Sequence, residues 1–402
     1  MTKRLTSGKA ALIYLSPIPI SSYAQRPHHF VEWFHKAFDA DVLWLESSPI
    51  RFPQLADIGR LRAWFLRPFL RQLRSSALLS VPWRDAPWLE AKRLSGIPAE
   101  PSTLGRLINR RIRSAEMAHI SNWAKQYEKC WLVIGRPCDA ALDLVDRLPD
   151  CPFVLDVMDL VPAFYSGRSR VWVESAERQL VAKAKLVMVS SQVLHQRLNQ
   201  FGAKLRLVRN GISQTLLEYL HVNPMPSRRV IKEKSTPKPL ILGYIGAIAP
   251  WMDWGLLKRC LSVLTESLDL QIRVQLYGPI QAEVPVDLPS NISMMGPLAH
   301  DEIGRIYREF DLGLIPFKRT ELTDAVDPIK YYEYRAAGLP VLSTRLAEMN
   351  HFASDPGLLF FDQLFTKPSL IQVLLDQRGE VRAGYADEVS WESRFHESIF
   401  ML

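Results

Sequence analysis

Short apolar runs, each about strand length, alternate along this chain with stretches whose apolar positions recur at helical spacing. The run AALIYLSPI (10–18) is followed by Phe30, Val31, Phe34 and Phe38, then by ADVLWLE (40–46). Unbroken apolar runs of this kind suit parallel strands covered on both faces, whereas spacing of three and four marks a helix face. The same alternation predicts strands in KCWLVIGRP (129–137), CPFVLDVMD (151–159), LVMVSS (186–191) and LRLVRNGIS (205–213), with helices over 174–185 and 192–201. Residues 222–238 then lose the pattern and become basic and proline-rich, as linkers do. The alternation restarts with PLILGYIGAI (239–248), a helix through Leu256, Leu257, Cys260, Leu261 and Leu264, and strands IRVQLYGP (272–279), ISMMGPL (292–298) and DLGLIPFK (311–318), with a helix at 301–310. The prediction is α/β: two doubly wound, Rossmann-like sheets facing a cleft, with ligands at the carboxyl ends of strands. The boundaries are 1–221 for an N-terminal domain, 222–238 for the linker and 239–388 for a C-terminal domain. A last helix is predicted in 389–402, through Trp391.

The best-defined local pattern is 327–344, DPIKYYEYRAAGLPVLST. It predicts a loop, a helix opened by Asp327 and Pro328, a stop at Gly338, and a strand from Val341. Proline suits a first helical turn and glycine a left-handed C-terminal stop. Lys330 lies in the first turn, where the helix dipole disfavours a cation unless an anion docks there. Glu333, one turn on, can accept hydrogen bonds from vicinal hydroxyls. A phosphate for one and a ribose for the other makes a nucleotide site; a plain i, i+3 ion pair is the alternative.

Composition narrows the partners. The 402 residues exceed one ordinary core, and a net charge of +8 favours acidic ligands such as phosphates or anionic lipid. No nucleic-acid recognition motif accompanies the charge, so no nucleic-acid partner is expected. Between 58 and 84 there is no carboxylate; Arg67, Arg71 and Arg74 stand among Trp64, Phe65 and other apolar residues, a composition that lies on an anionic membrane surface. Arg106, Arg110, Arg111 and Arg113 form a second basic cluster. The four cysteines form no metal-ligand spacing, and no run reaches transmembrane length, which predicts a reducing, cytoplasmic setting on the inner membrane face. There is no phosphate-loop motif, no nucleophile elbow and no HExxH. Asp156 and Asp159 close the run 151–159, at the end of a strand where catalytic carboxylates can sit; loop capping is the competing role.

Four segments of the second half resemble the GT-B glycosyltransferases, in particular the family 4-like enzymes of bacterial surface polysaccharides. LGYIGAIAPWMDWGLL is similar to their first donor-domain strand and glycine loop. LYGPI and NISMMGPLAHDEI are similar to the strands around the nucleotide base. DLGLIPFKRTELTDAVDPIKYYEYRAAGLPVLST is similar to the donor loop and helix, and QRPHHFVEWF and VLDVMDLVPAF resemble first-domain segments. The resemblance implies transfer of a hexose from a UDP- or GDP-sugar to a lipid-linked or membrane-proximal saccharide in exopolysaccharide, capsule or O-antigen synthesis. It implies retention of configuration, and no metal or other cofactor, because helix dipole, backbone and basic side chains hold the leaving diphosphate. Carried across, Glu333 is the ribose carboxylate, Lys330 the diphosphate lysine, and Gly246 and Ala247 the phosphate loop. Gly296, Pro297 and Leu298 match the base-binding turn, with Gly278, Asp324, Pro328 and Ile329 as further donor-binding residues. The resemblance also implies that 1–221 binds the acceptor, that 239–388 binds the nucleotide-sugar and that the helix in 389–402 crosses back to the N-terminal domain.

The pattern also departs from the family. A glutamate expected eight residues before Glu333 is Ala325, with Asp324 and Asp327 as candidate substitutes. Trp251, Asp253 and Trp254 stand where an Arg and a Lys are usual. Asp156 or Asp159 acting as base would imply inversion. A non-catalytic GT-B partner of another transferase, and a nucleotide-sugar epimerase, are the rival readings.

Overall fold

The computed structural model describes residues 9–47, 50, 83–202, 204–226, 239–268 and 271–399. The membrane-contact residues expected at Trp64, Phe65, Arg67, Arg71 and Arg74 lie outside them. Two compact units divide the chain, Met1–Val208 and Arg209–Leu402.

In the first unit the strands are β1 (Ala10–Ser16), β2 (Asp41–Glu46), β3 (Leu89–Arg93), β4 (Lys129–Ile134), β5 (Phe153–Val157), β6 (Leu186–Val189) and β7 (Leu205–Leu207). Its helices are α1 (Arg26–Phe38), α2 (Thr103–Ile112), α3 (Ser114–Ala124), α4 (Asp139–Arg147), α5 (Gly167–Lys183) and α6 (Gln192–Asn199). The strands form one sheet in the order β3-β2-β1-β4-β5-β6-β7, and every pairing is parallel. The expected run at 10–18 buries Ala11 to Leu15 completely, as a two-sided parallel strand should. The order reverses between β1 and β4, and the chain there is tight: Gly135 N–H donates to Leu15 O at 2.9 Å, and a Cβ on Gly135 would stand 2.9 Å from Pro17.

The second unit begins with α7 (Gln214–Val222), whose Leu216, Leu217 and Leu220 enter this unit's core. The division therefore falls before the proline-rich stretch rather than within it. Strands β8 (Leu240–Ile245), β9 (Ile272–Tyr277), β10 (Ile292–Gly296), β11 (Leu312–Ile315), β12 (Val341–Ser343) and β13 (Leu358–Phe360) form a second parallel sheet, ordered β10-β9-β8-β11-β12-β13. Among its helices are α8 (Trp254–Ser267), α9 (Ile303–Tyr307), α10 (Glu321–Asp324) and α11 (Ile329–Ala336). The last, Trp391–Ile399, is reached through Val389, which accepts from Ile212 N–H at 2.8 Å. The strand order reverses between β8 and β11, so in each sheet the switch point, where open α/β sheets place their ligands, lies beside the first strand of the unit. Among the described residues no helix is long and apolar enough to cross a membrane.

Candidate functional site

The carboxyl ends of β8, β9 and β10 meet at three glycines. Gly246 N–H donates to Tyr277 O at 2.8 Å, and Gly278 N–H donates to Gly296 O at 2.8 Å. Gly278 has φ +143°, and a Cβ there would stand 1.9 Å from Gly246 O, so no larger residue fits. Gly296 turns at φ +82° and leads into Pro297 and Leu298. Tyr244 Oη donates to Ala247 O at 3.0 Å and would collide with a Cβ on Gly246. The residues expected to approach phosphate and base are thus brought together on one edge, with backbone in place of side chains.

The loop after Gly246 is fixed by its neighbour. Lys318 N–H donates to Trp251 O at 2.7 Å, and Asp253 N–H to Pro316 O at 2.8 Å. Asp253 then caps α8, accepting from Leu256 N–H at 2.9 Å. Where an Arg and a Lys are usual in the resembled family, this chain places a helix cap and two tryptophans.

Helix α11 begins one residue later than the sequence predicts, with Pro328 as its cap and Ile329 as its first helical residue. Asp327, before it, is a buried junction. Its carboxylate accepts from Tyr332 Oη at 2.7 Å and from Asn210 N–H at 2.6 Å, and pairs with Arg209 at 3.3 Å. Asn210 Nδ2 returns a bond to Asp327 O at 2.8 Å. Burial pushes the Asp327 pKa up to about 6, against the pull of Arg209 and the two hydrogen-bond donors. Arg209 also pairs with the buried Glu348. Burial lowers its pKa, but Tyr332, Asp327 and Glu348 outweigh that and raise it. Asp324 is tied elsewhere: it accepts from Ala347 N–H at 2.9 Å and meets Arg319 at 3.3 Å. Ala325 is fully buried.

Lys330 and Glu333 meet. Lys330 Nζ stands 2.5 Å from Glu333 Oε2, and Tyr307 Oη donates to the same oxygen. Glu333 is only 6% exposed, so this is not a solvated surface pair. His300, four residues past Gly296, binds Ser213 Oγ at 2.8 Å. Packing around the ring pushes its pKa below the ordinary value; Glu333 opposes this and Lys330 adds to it. Tyr307 and His300 escaped the sequence reading. His300 lies within the motif GPLAHDEI and Tyr307 four residues past it, but only the fold brings Tyr307 to Glu333 and His300 to Ser213.

In the first unit, Asp156 and Asp159 have different surroundings. Asp156 is fully buried, paired with Arg26 at 2.8 Å and accepting from Tyr14 Oη at 3.1 Å. Arg26, the first residue of α1, also donates to Val208 O at 2.7 Å. Asp159 is half-buried just past β5. Desolvation pushes its pKa up to about 7; Arg26 lowers it and Asp156 raises it. A carboxyl in that range holds a proton near neutrality and can also accept one.

Comparison with known proteins adds three findings. No protein-family model matches the chain. TuaH of Bacillus subtilis strain 168, named for glycosyl transfer in teichuronic acid biosynthesis, is 28% identical over 205 residues, which is 48% of this chain and 50% of TuaH. The chain thus matches about half the length of that relative. A glycosyltransferase from Rickettsia africae superposes with TM-score 0.60 at 12% identity, over 98% of this chain and 97% of its own. HepE of Anabaena, in complex with UDP, gives 0.59 at 13% identity, over 98% of this chain and all of HepE. This is the GT-B fold. In the GT-B frame the glycine edge, Lys330 and Glu333 all belong to the second sheet and its helix, and Asp159 to the first.

Proposed function

We propose that this protein is a glycosyltransferase of bacterial surface-polysaccharide synthesis that uses a UDP-sugar as donor. The observation that carries the reading is the cluster in the second unit: three glycine strand ends, the first turn of α11, and the Lys330–Glu333–Tyr307 group. The backbone of Gly246, Gly278 and Gly296 gives a nucleotide close approach without side chains in the way. Glu333 accepts the ribose hydroxyls, which compete with Lys330 for Oε2 and turn its ammonium toward the diphosphate. The α11 N-terminus adds its dipole to the same charge. Leaving-group stabilisation then needs no metal. Two comparisons support the reading: HepE was solved with UDP and with UDP-glucose, and TuaH is named as a glycosyltransferase of teichuronic acid biosynthesis.

The finer reading is a membrane-proximal or lipid-linked saccharide as acceptor. Asp159 is the residue suited to take the acceptor proton, because its pKa lies near 7 while Asp156 is locked to Arg26; as the base it implies inversion, in place of the retention that the family resemblance suggests. The test is UDP release from a panel of UDP-sugars with polyprenyl-linked saccharides, with and without EDTA. Acceptor-dependent release that survives EDTA supports the reading. Release that needs a divalent metal contradicts the metal-free part, and binding with no turnover on any acceptor favours a non-catalytic partner.

A further inference from the structure

Helix α2 is built inside out. Its inward positions Gly105 and Asn109, and Arg113 one turn further on just past its end, are all buried. A Cβ on Gly105 would stand 2.0 Å from Ala99 O, so the helix lies against the preceding loop. Asn109 brackets one residue, accepting from Ile97 N–H at 2.7 Å and donating to Ile97 O at 3.0 Å. Arg113, placed by the sequence in a surface basic cluster, is instead fully buried and reaches Asp139 at 2.6 Å. Ser102 caps the helix through Gly105 N–H at 2.9 Å.

With polar and small residues as anchors, the apolar side chains point the other way. Leu104 is 68% exposed, Leu107 59%, Ile112 44% and Ile108 40%. Their spacing of three and four makes one stripe, the face that a helix of a water-soluble fold normally turns inward. Arg111 is exposed on the same helix, as is Arg110, which also reaches the buried Asp139 at 3.2 Å, and the helix itself carries no carboxylate. Arg106 lies 4.2 Å over the ring of Trp172, so the start of α5 is adjacent; Val171 there and Phe164 just before it are also exposed.

Three occupants suit an apolar stripe: a second copy, another part of the chain, or a lipid surface. Two copies paired symmetrically would set these arginines against one another. The chain's own apolar stretch, 58–84, is basic and free of carboxylates, so it repels as well. An anionic bilayer complements both features, taking apolar side chains at the acyl boundary and arginines at the head groups. We propose that α2 is a membrane-docking helix, inserting Leu104, Leu107, Ile108 and Ile112 into the surface of an anionic bilayer.

The test is flotation of the full chain with phosphatidylcholine vesicles, with and without phosphatidylglycerol. The wild type is expected to float with the anionic vesicles, and less so at high salt. The triple variant Leu104→Ser, Leu107→Ser, Ile108→Ser should bind roughly tenfold more weakly or not at all. Arg111→Glu, a single exposed change that leaves the anchors intact, should weaken binding and flatten its salt dependence, and it decides the matter if the triple variant does not fold. No flotation of the wild type, or flotation unchanged in both variants, overturns the proposal. So does loss of a dimer by light scattering while vesicle binding is kept, which would make a second copy the occupant. No donor is present in this assay, so its outcome is independent of the sugar-transfer reading.

Discussion

Glu333 concentrates the chemistry of the second unit on one oxygen. Lys330 and Tyr307 both engage Oε2 of a nearly buried carboxylate. Hydrogen bonds to a charged group contribute about 1.5–3 kcal/mol each. Glu333→Gln is therefore expected to weaken UDP binding by roughly 10- to 100-fold, measured by titration calorimetry. Tyr307→Phe removes one hydrogen bond to that carboxylate and should cost about 1.5–3 kcal/mol of stability, measured by urea unfolding. Asp159 makes a prediction in pH. Its folded pKa of about 7 stands above the carboxylate's usual value, so its stabilising contribution is full in acid and is lost as pH rises through 7. Urea unfolding should show stability falling across that window, and Asp159→Asn should flatten the fall. If Asp159 is the base, turnover rises over the same window, and the Asn variant loses about 10²- to 10⁴-fold. Lys330 and Glu333 were legible because both fall in one short motif. The buried role of Asp327 was not, since its partner Asn210 is 117 residues away and read only as a turn.

At the scale of elements, most strands were legible; β3, β13 and the inverted helix were not. Apolar runs such as LIYL and LILGYI announce strands covered on both faces. Strand β3, LEAKR, has no such run because it is the sheet edge, half exposed and charged. Helix α2 defeats a periodicity argument, because its apolar stripe faces away from its anchors. Helix α5 starts at Gly167, well before the predicted 174, because its first turns carry Arg168, Ser169 and Arg170 rather than apolar residues. Two structural devices can be tested by unfolding. Gly278→Ala should destabilise the second unit by at least ~2 kcal/mol, since a left-handed position and a clash with Gly246 O coincide. Asp156→Asn leaves the Arg26 guanidinium buried without its counter-charge and should cost the first unit about 3–5 kcal/mol.

At the scale of the whole molecule, the restart of the strand–helix pattern after the proline-rich stretch is what revealed two sheets. The division itself lies earlier, because α7 carries leucines that complete the second core, a fact that no local composition reports. The fold is shared with proteins of very different sequence, so the fold alone fixes neither donor nor acceptor. The central claim is that the second unit holds a uridine nucleotide at the glycine edge and α11. Titration of the full chain with UDP, beside the Glu333→Ala and Lys330→Ala variants, tests it most directly. Saturable one-site binding by the wild type is expected, with binding at least roughly tenfold weaker in each variant. No binding by the wild type, or equal binding by all three proteins, would contradict it.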